Sequence, residues 1–215
     1  MPVWLAFDSG SPVTSAAVAR DGAVLAASAG ESRTGPSLLQ HLDNVRRDAG
    51  VSLDGFDGIV VLSGPGSFTG IRVGLATALG LRAALPTPVV ALSNLAALAL
   101  QVAPAEESTI LSLIDALRDE WFVQEFRRQG AGELRAAGPP FRTAAPEPPR
   151  PDGVQLAVHQ DQKVPPAFAG LALSQARDLA PAVAAAASAG ILRQLFEEAL
   201  DPLYLRAFTP RTPQS

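Results

Sequence analysis

The chain has 215 residues, 47% of them hydrophobic and 18% charged, with a formal net charge of −4. This suits one large or two small domains with a real core and excludes wholesale disorder, which needs low hydropathy and high net charge. The basic excess of a stand-alone nucleic-acid binder is missing, and the absence of cysteine removes disulfides, thiolate metal sites and cysteine nucleophiles and fits the cytoplasm. The single lysine, Lys163, precedes Pro165 and Pro166, a poor setting for lysine chemistry. His41 and His159 form no HxxxH or HExxH pair, which excludes a helix-borne metallopeptidase site. Asp8 interrupts the first apolar run too early for a signal peptide. The Ala/Leu-rich stretches near 91–105 and 182–192 are too short or too interrupted for the roughly 20 apolar residues of a membrane span.

In chain order, residues 3–7 read as a buried strand that ends at Asp8 and a turn, Ser9-Gly10-Ser11-Pro12. Residues 14–19 and 23–28, joined at Arg20-Asp21-Gly22, complete an antiparallel meander. Residues 37–49 carry Leu38, Leu39, Leu42 and Val45 at helical spacing, with Gly50 as the stop. A strand at 58–62, a helix at 68–85 ended by Pro86, a strand at 89–92 and a helix from Ser93 to about Val102 finish an α/β half. A second half then opens in the same way. Residues 109–115 are an apolar strand ending at Asp115, with a hairpin partner at 121–126. Six prolines in 138–153 predict an extended surface segment. A strand at 154–158 and helices at 173–187 and 191–200, split at Gly190, are expected after it. The tail 210–215 is expected to be flexible.

The most specific stretch is Ser63-Gly64-Pro65-Gly66-Ser67-Phe68-Thr69-Gly70-Ile71-Arg72-Val73-Gly74, between a strand and a helix. Helix N-termini at such a place bind phosphate. Yet Ile71 follows Gly70 where a Walker loop has lysine, Thr69 stands where a dinucleotide fingerprint has its third glycine, and Pro65 removes an amide. The other reading is a tight turn capped by Ser67 or Thr69. The helix that follows has almost no polar face, with only Arg72, Thr77 and Arg82 interrupting it. It is either buried all round or shared with a partner, and Gly70, Gly74 and Ala78 form a small-residue stripe that suits close approach of another helix.

The Ser63–Gly74 stretch resembles the signature of the TsaB (YeaZ) family. Leu5-Ala6-Phe7-Asp8-Ser9, Ser37-Leu38-Leu39, Ala91-Leu92-Ser93-Asn94-Leu95-Ala96, Ile114-Asp115-Ala116-Leu117-Arg118-Asp119-Glu120-Trp121-Phe122 and Pro202-Leu203-Tyr204-Leu205-Arg206 are similar to other segments of that family, in order. Two positions depart from it: Leu117 replaces a usual arginine, and Asp8-Ser9-Gly10 replaces a more usual Asp-Thr-Ser.

The resemblance implies an α/β, actin-like ATPase (ASKHA) fold of two RNase H-like lobes. These would be an N-terminal lobe at 1–105 and a smaller C-terminal lobe at 106–209. It implies a non-catalytic subunit that heterodimerises with TsaD and, together with TsaE, serves the synthesis of N6-threonylcarbamoyladenosine next to the anticodon of tRNA. Contact with tRNA would be indirect. ATP, threonylcarbamoyl-adenylate and metal would be handled by the partners, with no cofactor in this chain. The family pairs through its first two helices, which places the expected interface on Leu38, Leu39, Leu42, Val45, Ile71, Gly74, Leu75, Ala78, Leu79 and Arg82. The motif loop is Gly64, Pro65, Gly66, Ser67, Phe68, Thr69 and Gly70. A homodimer through the same helices is expected when the chain is alone.

The alternative is an active ASKHA phosphotransferase using Asp8 and the 8–12 loop, with Asp8 near Mg²⁺. Against it, a strand-end aspartate more often caps a turn. His41 reads as a partly exposed helix residue. Arg33, Arg46, Arg47 and Arg72 are candidates to reach an acidic partner or a phosphate, and Tyr204 and Arg206 to dock the C-terminal segment on the body.

Overall fold

The computed structural model describes residues 1–31, 37–102, 107–129, 133–144, 146 and 153–204. Arg33, Arg206, the 210–215 tail, the 105/106 lobe boundary and half of the proline-rich segment lie outside them. Two mixed sheets carry the fold. The first is built from β1 (Val3–Asp8), β2 (Val13–Arg20), β3 (Ala23–Glu31), β4 (Gly58–Leu62) and β5 (Val89–Leu92), in the order β3-β2-β1-β4-β5. The second contains β6 (Glu107–Leu117), β7 (Glu120–Gln129), β8 (Glu133–Ala136), β10 (Val154–His159) and β11 (Ala172–Ala176), in the order β11-β10-β6-β7-β8, while β9 (Phe141–Thr143) pairs with the near end of β7. Read from the meander outward, the two orders are the same. In each, a three-stranded antiparallel meander is extended by two parallel strands. The echo between Asp8 and Asp115 is therefore one of whole lobes.

Both faces of the central strands β1 and β4 are buried, as near-continuous apolar sequence requires, and the edge strand β5 is largely buried too. Phe7, Ile59 and Val61 point to one side, beneath α1 (Leu38–Asp48) and α2 (Phe68–Ala84); Ala6, Val60 and Leu62 point to the other, into a core shared with the second sheet. Two helices fill that shared layer. α3 (Asn94–Ala99) leaves the first sheet and packs on β6, β7 and β10, and α4 (Ala180–Ser188) leaves the second and packs on β1, β2 and β3. Each lobe thus sends its last helix onto the other. Close approach of α4 is allowed by small residues on both sides, Ala180, Ala184 and Ala187 against Ala6, Ala17 and Ala19. Its ends are pinned by Ala180 N–H donating to Ser15 Oγ at 3.3 Å and by Gly22 N–H donating to Ser188 Oγ at 2.9 Å.

The lobes differ on their outer faces. In the first, α1 and α2 fill the two crossovers. In the second, no helix longer than one 3₁₀ turn occurs among the described residues of those connections, and Val164, Phe168 and Leu171 cover the sheet instead.

Two expected helices are corrected. Residues 172–176 form β11, paired in parallel with β10 (Leu156 opposite Leu173), so helix begins only at Ala180. Residues 191–200 are not a helix beyond a 3₁₀ turn at Arg193–Leu195. There Phe196 stacks on Trp4 at 5.4 Å, and Glu197 exchanges two backbone hydrogen bonds with Ala91 at 2.8 and 2.9 Å. Helical propensity is overridden in both places by long-range pairing. The proline-rich stretch also holds β9, a short edge strand.

One buried cation joins the halves. Arg128 on β7 donates through Nη2 to the carbonyls of Ala99 and Val102 at 3.3 and 3.2 Å, at the C-terminal end of α3. A cation is favoured at a helix's C-terminal end, where the last carbonyls lack intrahelical donors. Arg128→Ala should lower stability by about 2 kcal/mol, read from the midpoint of urea unfolding. An unchanged midpoint would sink this assignment.

Candidate functional site

The glycine loop sits at the carboxyl ends of β4 and β1, against the turn that follows Asp8. Each of the two loops fits because the other lacks side chains. A Cβ on Gly70 would overlap the Ser9 carbonyl, and one on Gly66 would overlap that of Gly10. Ser67 N–H donates to the Gly10 carbonyl at 2.8 Å, and Ser9 Oγ donates to the Gly70 carbonyl at 2.8 Å. The Gly64–Pro65 peptide is cis and Gly64 has φ +105°, a conformation reserved for glycine. Ser67 is the residue that caps α2, its Oγ accepting from Gly70 N–H at 3.3 Å. The stripe of Gly70 and Gly74 therefore faces the lobe's own Ser9 and not outward, which corrects its expected use as a seat for another helix.

Asp8 is fully buried beneath these loops. Its Oδ1 accepts from Gly10 N–H at 2.8 Å, Ser11 N–H at 3.3 Å and Asn94 Nδ2 at 3.3 Å, while Oδ2 has no hydrogen-bond partner. This is the turn cap that a strand-end aspartate commonly makes. Burial pushes its carboxyl above the usual carboxylate range, against the hydrogen bonds that pull it down. Asn94 is the clasp: it also donates to Ser11 Oγ at 3.0 Å and accepts from Gly64 N–H at 2.7 Å, and its own N–H reaches the Gly64 carbonyl at 2.7 Å. Sequence reasoning quoted Asn94 but gave it no role; its place one residue after the α3 cap, Ser93, was the available signal. The amides of Gly10, Ser11, Gly64, Ser67 and Gly70 are all engaged within the protein, where a phosphate nest would present them outward.

Between the lobes lies a cleft lined by Pro12, Val13 and Glu31 on one side and His159, Asp161 and Arg177 on the other. Asp8 does not line it. His159 is buried, its Nδ1 lacks a partner, and burial lowers its pKa to about 4. Asp115 is exposed and caps the next turn, accepting from Leu117 N–H at 2.7 Å, and Glu120 pairs with Arg142 at 3.1 Å. Among the described residues, no cluster of three or more His, Cys, Asp or Glu is arranged to hold a metal.

The ten interface candidates divide by burial. Leu38, Val45, Ile71, Gly74, Leu75 and Ala78 lie in the lobe's own core under α1 and α2, and Leu42 packs half-buried against it. Leu39 (65% exposed), Leu79 (44%) and Arg82 face outward. Two residues outside that set join them, Phe68 from the motif loop at 49% and Val73 at 46% exposure, with Ala76, Gly80 and Ala83 between. α2 is thus apolar on its solvent side as well as its buried side.

Tyr204 docks at the start of this face. Its ring stacks on Phe68 at 5.5 Å, Arg72 lies over Phe68 at 4.0 Å and donates to the Tyr204 hydroxyl at 3.3 Å, and Leu203 N–H reaches the Ser63 carbonyl at 2.9 Å. Arg72 is therefore occupied by aromatic contacts, and Arg46 and Arg47 by ion pairs to Asp43 at 2.9 and 3.2 Å. His41 departs from expectation: it is buried, with Nδ1 2.8 Å from Ser28 Oγ, because it lies on the inner side of α1 against β3.

Two like-ordered α/β lobes that exchange their last helices define an actin-like protein. The family model described as TsaD: tRNA N6-adenosine threonylcarbamoyltransferase matches residues 36–205. A solved structure, YeaZ from Pseudomonas aeruginosa, superposes with a TM-score of 0.74 at 26% identity, over 95% of this chain and 100% of that one. The TsaB proteins of Haemophilus influenzae and Escherichia coli are 32% and 30% identical over 43% and 44% of this chain. Those alignments span only 39% and 42% of the relatives' own length. The chain belongs to the TsaD family and, within it, to the TsaB (YeaZ) group. No helix among the described residues is long and apolar enough to cross a membrane.

The Asp8 environment sets a pH test. With its pKa raised on folding, Asp8 contributes stability that is full below the unfolded value of 3.8 and lost as pH rises through the folded value. Asn at this position keeps an acceptor for the three donors and carries no charge. Asp8→Asn should be more stable than wild type at pH 7 by on the order of 1 kcal/mol, with the gap closing toward pH 4. Urea midpoints across that range check it, and a variant weaker at pH 7 would contradict the account.

Proposed function

We propose that this chain is the non-catalytic subunit that binds and supports TsaD in making N6-threonylcarbamoyladenosine next to the anticodon of tRNA. The observation that carries the reading is the outward face of α2. Phe68, Val73 and Leu79 stand exposed on a helix whose only charges are Arg72 and Arg82. A helix covering one sheet needs one apolar side, and contiguous exposed apolar surface marks an interaction site. Likeness to TsaB supports TsaD as that partner, since the curated relatives are described as tRNA threonylcarbamoyladenosine biosynthesis proteins.

In this reading Leu39, Phe68, Val73, Leu79 and Arg82 touch TsaD. Leu38, Leu42, Val45, Ile71, Gly74, Leu75 and Ala78 hold the two helices in place from below. The chain handles no cofactor; ATP, threonylcarbamoyl-adenylate and metal belong to TsaD and TsaE, and tRNA is met only through the complex, in the cytoplasm. The same face closes a homodimer when TsaD is absent. The phosphotransferase alternative is weakened by a buried Asp8 that does not line the interlobe cleft and by loop amides already engaged.

Light scattering on size-exclusion chromatography with TsaD of the same organism is the test. Wild type should form a heterodimer, and Leu79→Arg, an exposed change that leaves the core alone, should fold and weaken it by at least ~30-fold, equivalent to about 2 kcal/mol. Failure of wild type to associate would refute the reading. Mg²⁺-dependent ATP binding that is lost in Asp8→Ala would favour the phosphotransferase.

A further inference from the structure

Charge on α2 has one sign. The helix carries Arg72 and Arg82 and no acidic residue, in a chain whose formal net charge is −4. Arg82 sits in the last turn, where a cation suits the helix dipole, and its Nη1 reaches the Glu198 carbonyl at 3.5 Å. Arg72 has neither advantage. Its side chain runs back toward the helix start, with the guanidinium 4.0 Å over the ring of Phe68, the first residue of α2. The charge therefore stands at the positive end of the dipole, over a turn with no acidic residue. Among the described residues Arg72 forms no ion pair. Folding of the lobe gives no reason for a cation there.

The arginine is nevertheless held in one place. Its Nε donates to the Tyr204 hydroxyl at 3.3 Å, and the Tyr204 ring stacks on Phe68 at 5.5 Å. Tyr204 is brought there by a C-terminal segment that is fastened to the first lobe at three earlier points: Phe196 on Trp4, Glu197 on Ala91 and Leu203 on Ser63. These contacts fix the guanidinium without neutralising it. They use Nε and leave both Nη groups for another acceptor, on a side chain that is exposed. A stacked, planar guanidinium keeps its charge and has little freedom left to lose on binding. Its two Nη donors match the two oxygens of a carboxylate.

We infer that Arg72 is the charged anchor of the docking face and takes an aspartate or glutamate side chain of TsaD through its Nη groups, with Tyr204 as the residue that positions it. This rests on the reading of α2 as the face that meets TsaD. Arg72 lies at one end of the strip formed by Phe68, Val73 and Leu79, so the apolar contact would exclude water beside the ion pair. An uncompensated cation on an otherwise acidic chain also favours a partner surface of opposite sign.

The full chain with TsaD of the same organism is the material for the test. Arg72→Gln, an exposed change, should stay folded and raise the heterodimer Kd at least ~10-fold. Raising the salt from roughly 0.05 to 0.5 M should weaken wild type more steeply than Arg72→Gln, because only wild type has the charge pair to screen. Arg72→Lys should fall between the two, since it keeps the charge without the fork. Tyr204→Phe keeps the ring and loses the hydroxyl. It should weaken wild type by roughly 3-fold and add nothing to Arg72→Gln, a coupling that a merely structural tyrosine would not show. An unchanged Kd in Arg72→Gln, or a loss with an unchanged salt slope, would overturn the inference; a heterodimer that Leu79→Arg still disrupts would then leave the docking face standing. A normal heterodimer that binds tRNA more weakly in Arg72→Gln would overturn it in favour of a phosphate as the occupant. Failure of wild type to associate would refute the face and the anchor together.

Discussion

The first lobe depends on the fit between two loops that have almost no side chains. The Asp8 turn and the glycine loop come within backbone contact because Gly66 and Gly70 present nothing to collide with the carbonyls of Gly10 and Ser9. That contact fixes where α2 begins, since Ser67 both caps the helix and binds Gly10. It also shuts Asp8 away from water, and Asn94 then becomes necessary, because a buried carboxylate without donors is costly. Asn94 starts α3, so the same clasp sets the helix that crosses to the second sheet. The most specific motif of the sequence is thus, first of all, a packing solution. Its phosphate-loop appearance comes from its glycines, but the amides of Gly64, Ser67 and Gly70 are engaged within the protein.

What was legible in the sequence follows how local each signal is. The first lobe was readable nearly element by element. Ser37 with Gln40 closes a capping box, Gly50 takes φ +64° just past α1, and Asp21-Gly22 turns with both φ positive. The second lobe was readable where strands carry β-branched and aromatic residues, as in β6, β7 and β10, and in the alanine-rich stretch that forms α4. β11, Ala-Leu-Ser-Gln-Ala, has a helical composition and becomes a strand because it lies beside Leu156 on β10. Residues 196–200 have helix-forming glutamates, yet Phe196 is held by Trp4 and Glu197 by Ala91. No window of local sequence contains those partners. The candidate site shows the same division. The motif loop was found by its glycines, but periodicity on an all-apolar helix could not separate Leu75, which is core, from Leu79, which is surface. The inward side chain of His41 was missed for a related reason, since a polar residue on a helix reads as exposed until its partner, Ser28, is known.

The repeat of lobes gives the asymmetry its meaning. Both halves keep the meander, the two parallel strands and the exchanged last helix, all of which form the shared core. They differ in the outer layer, which the shared core does not need. Among the described residues of the second lobe, that layer is a 3₁₀ turn that sets Phe168 onto the sheet. In the first it is kept as α1 and α2. Stability alone is served by either solution, because each covers the apolar outer face of its sheet.

The composition of α2 adds a constraint that folding does not explain. Ile71, Leu75 and Ala78 meet the inward requirement. Phe68, Val73, Ala76 and Leu79 on the far side lie outside it, and an outer-layer helix ordinarily carries charge there, as α1 does with Asp43, Arg46 and Arg47. The C-terminal segment extends that surface: Tyr204 is 44% exposed and is held on Phe68 and Arg72, which adds an aromatic ring and a guanidinium to the end of the apolar strip. Aromatic residues and arginine are the types enriched where proteins meet. The glycine loop closes on the lobe itself, whereas the largely apolar outer face of α2 is surface that the packing of the lobe does not use.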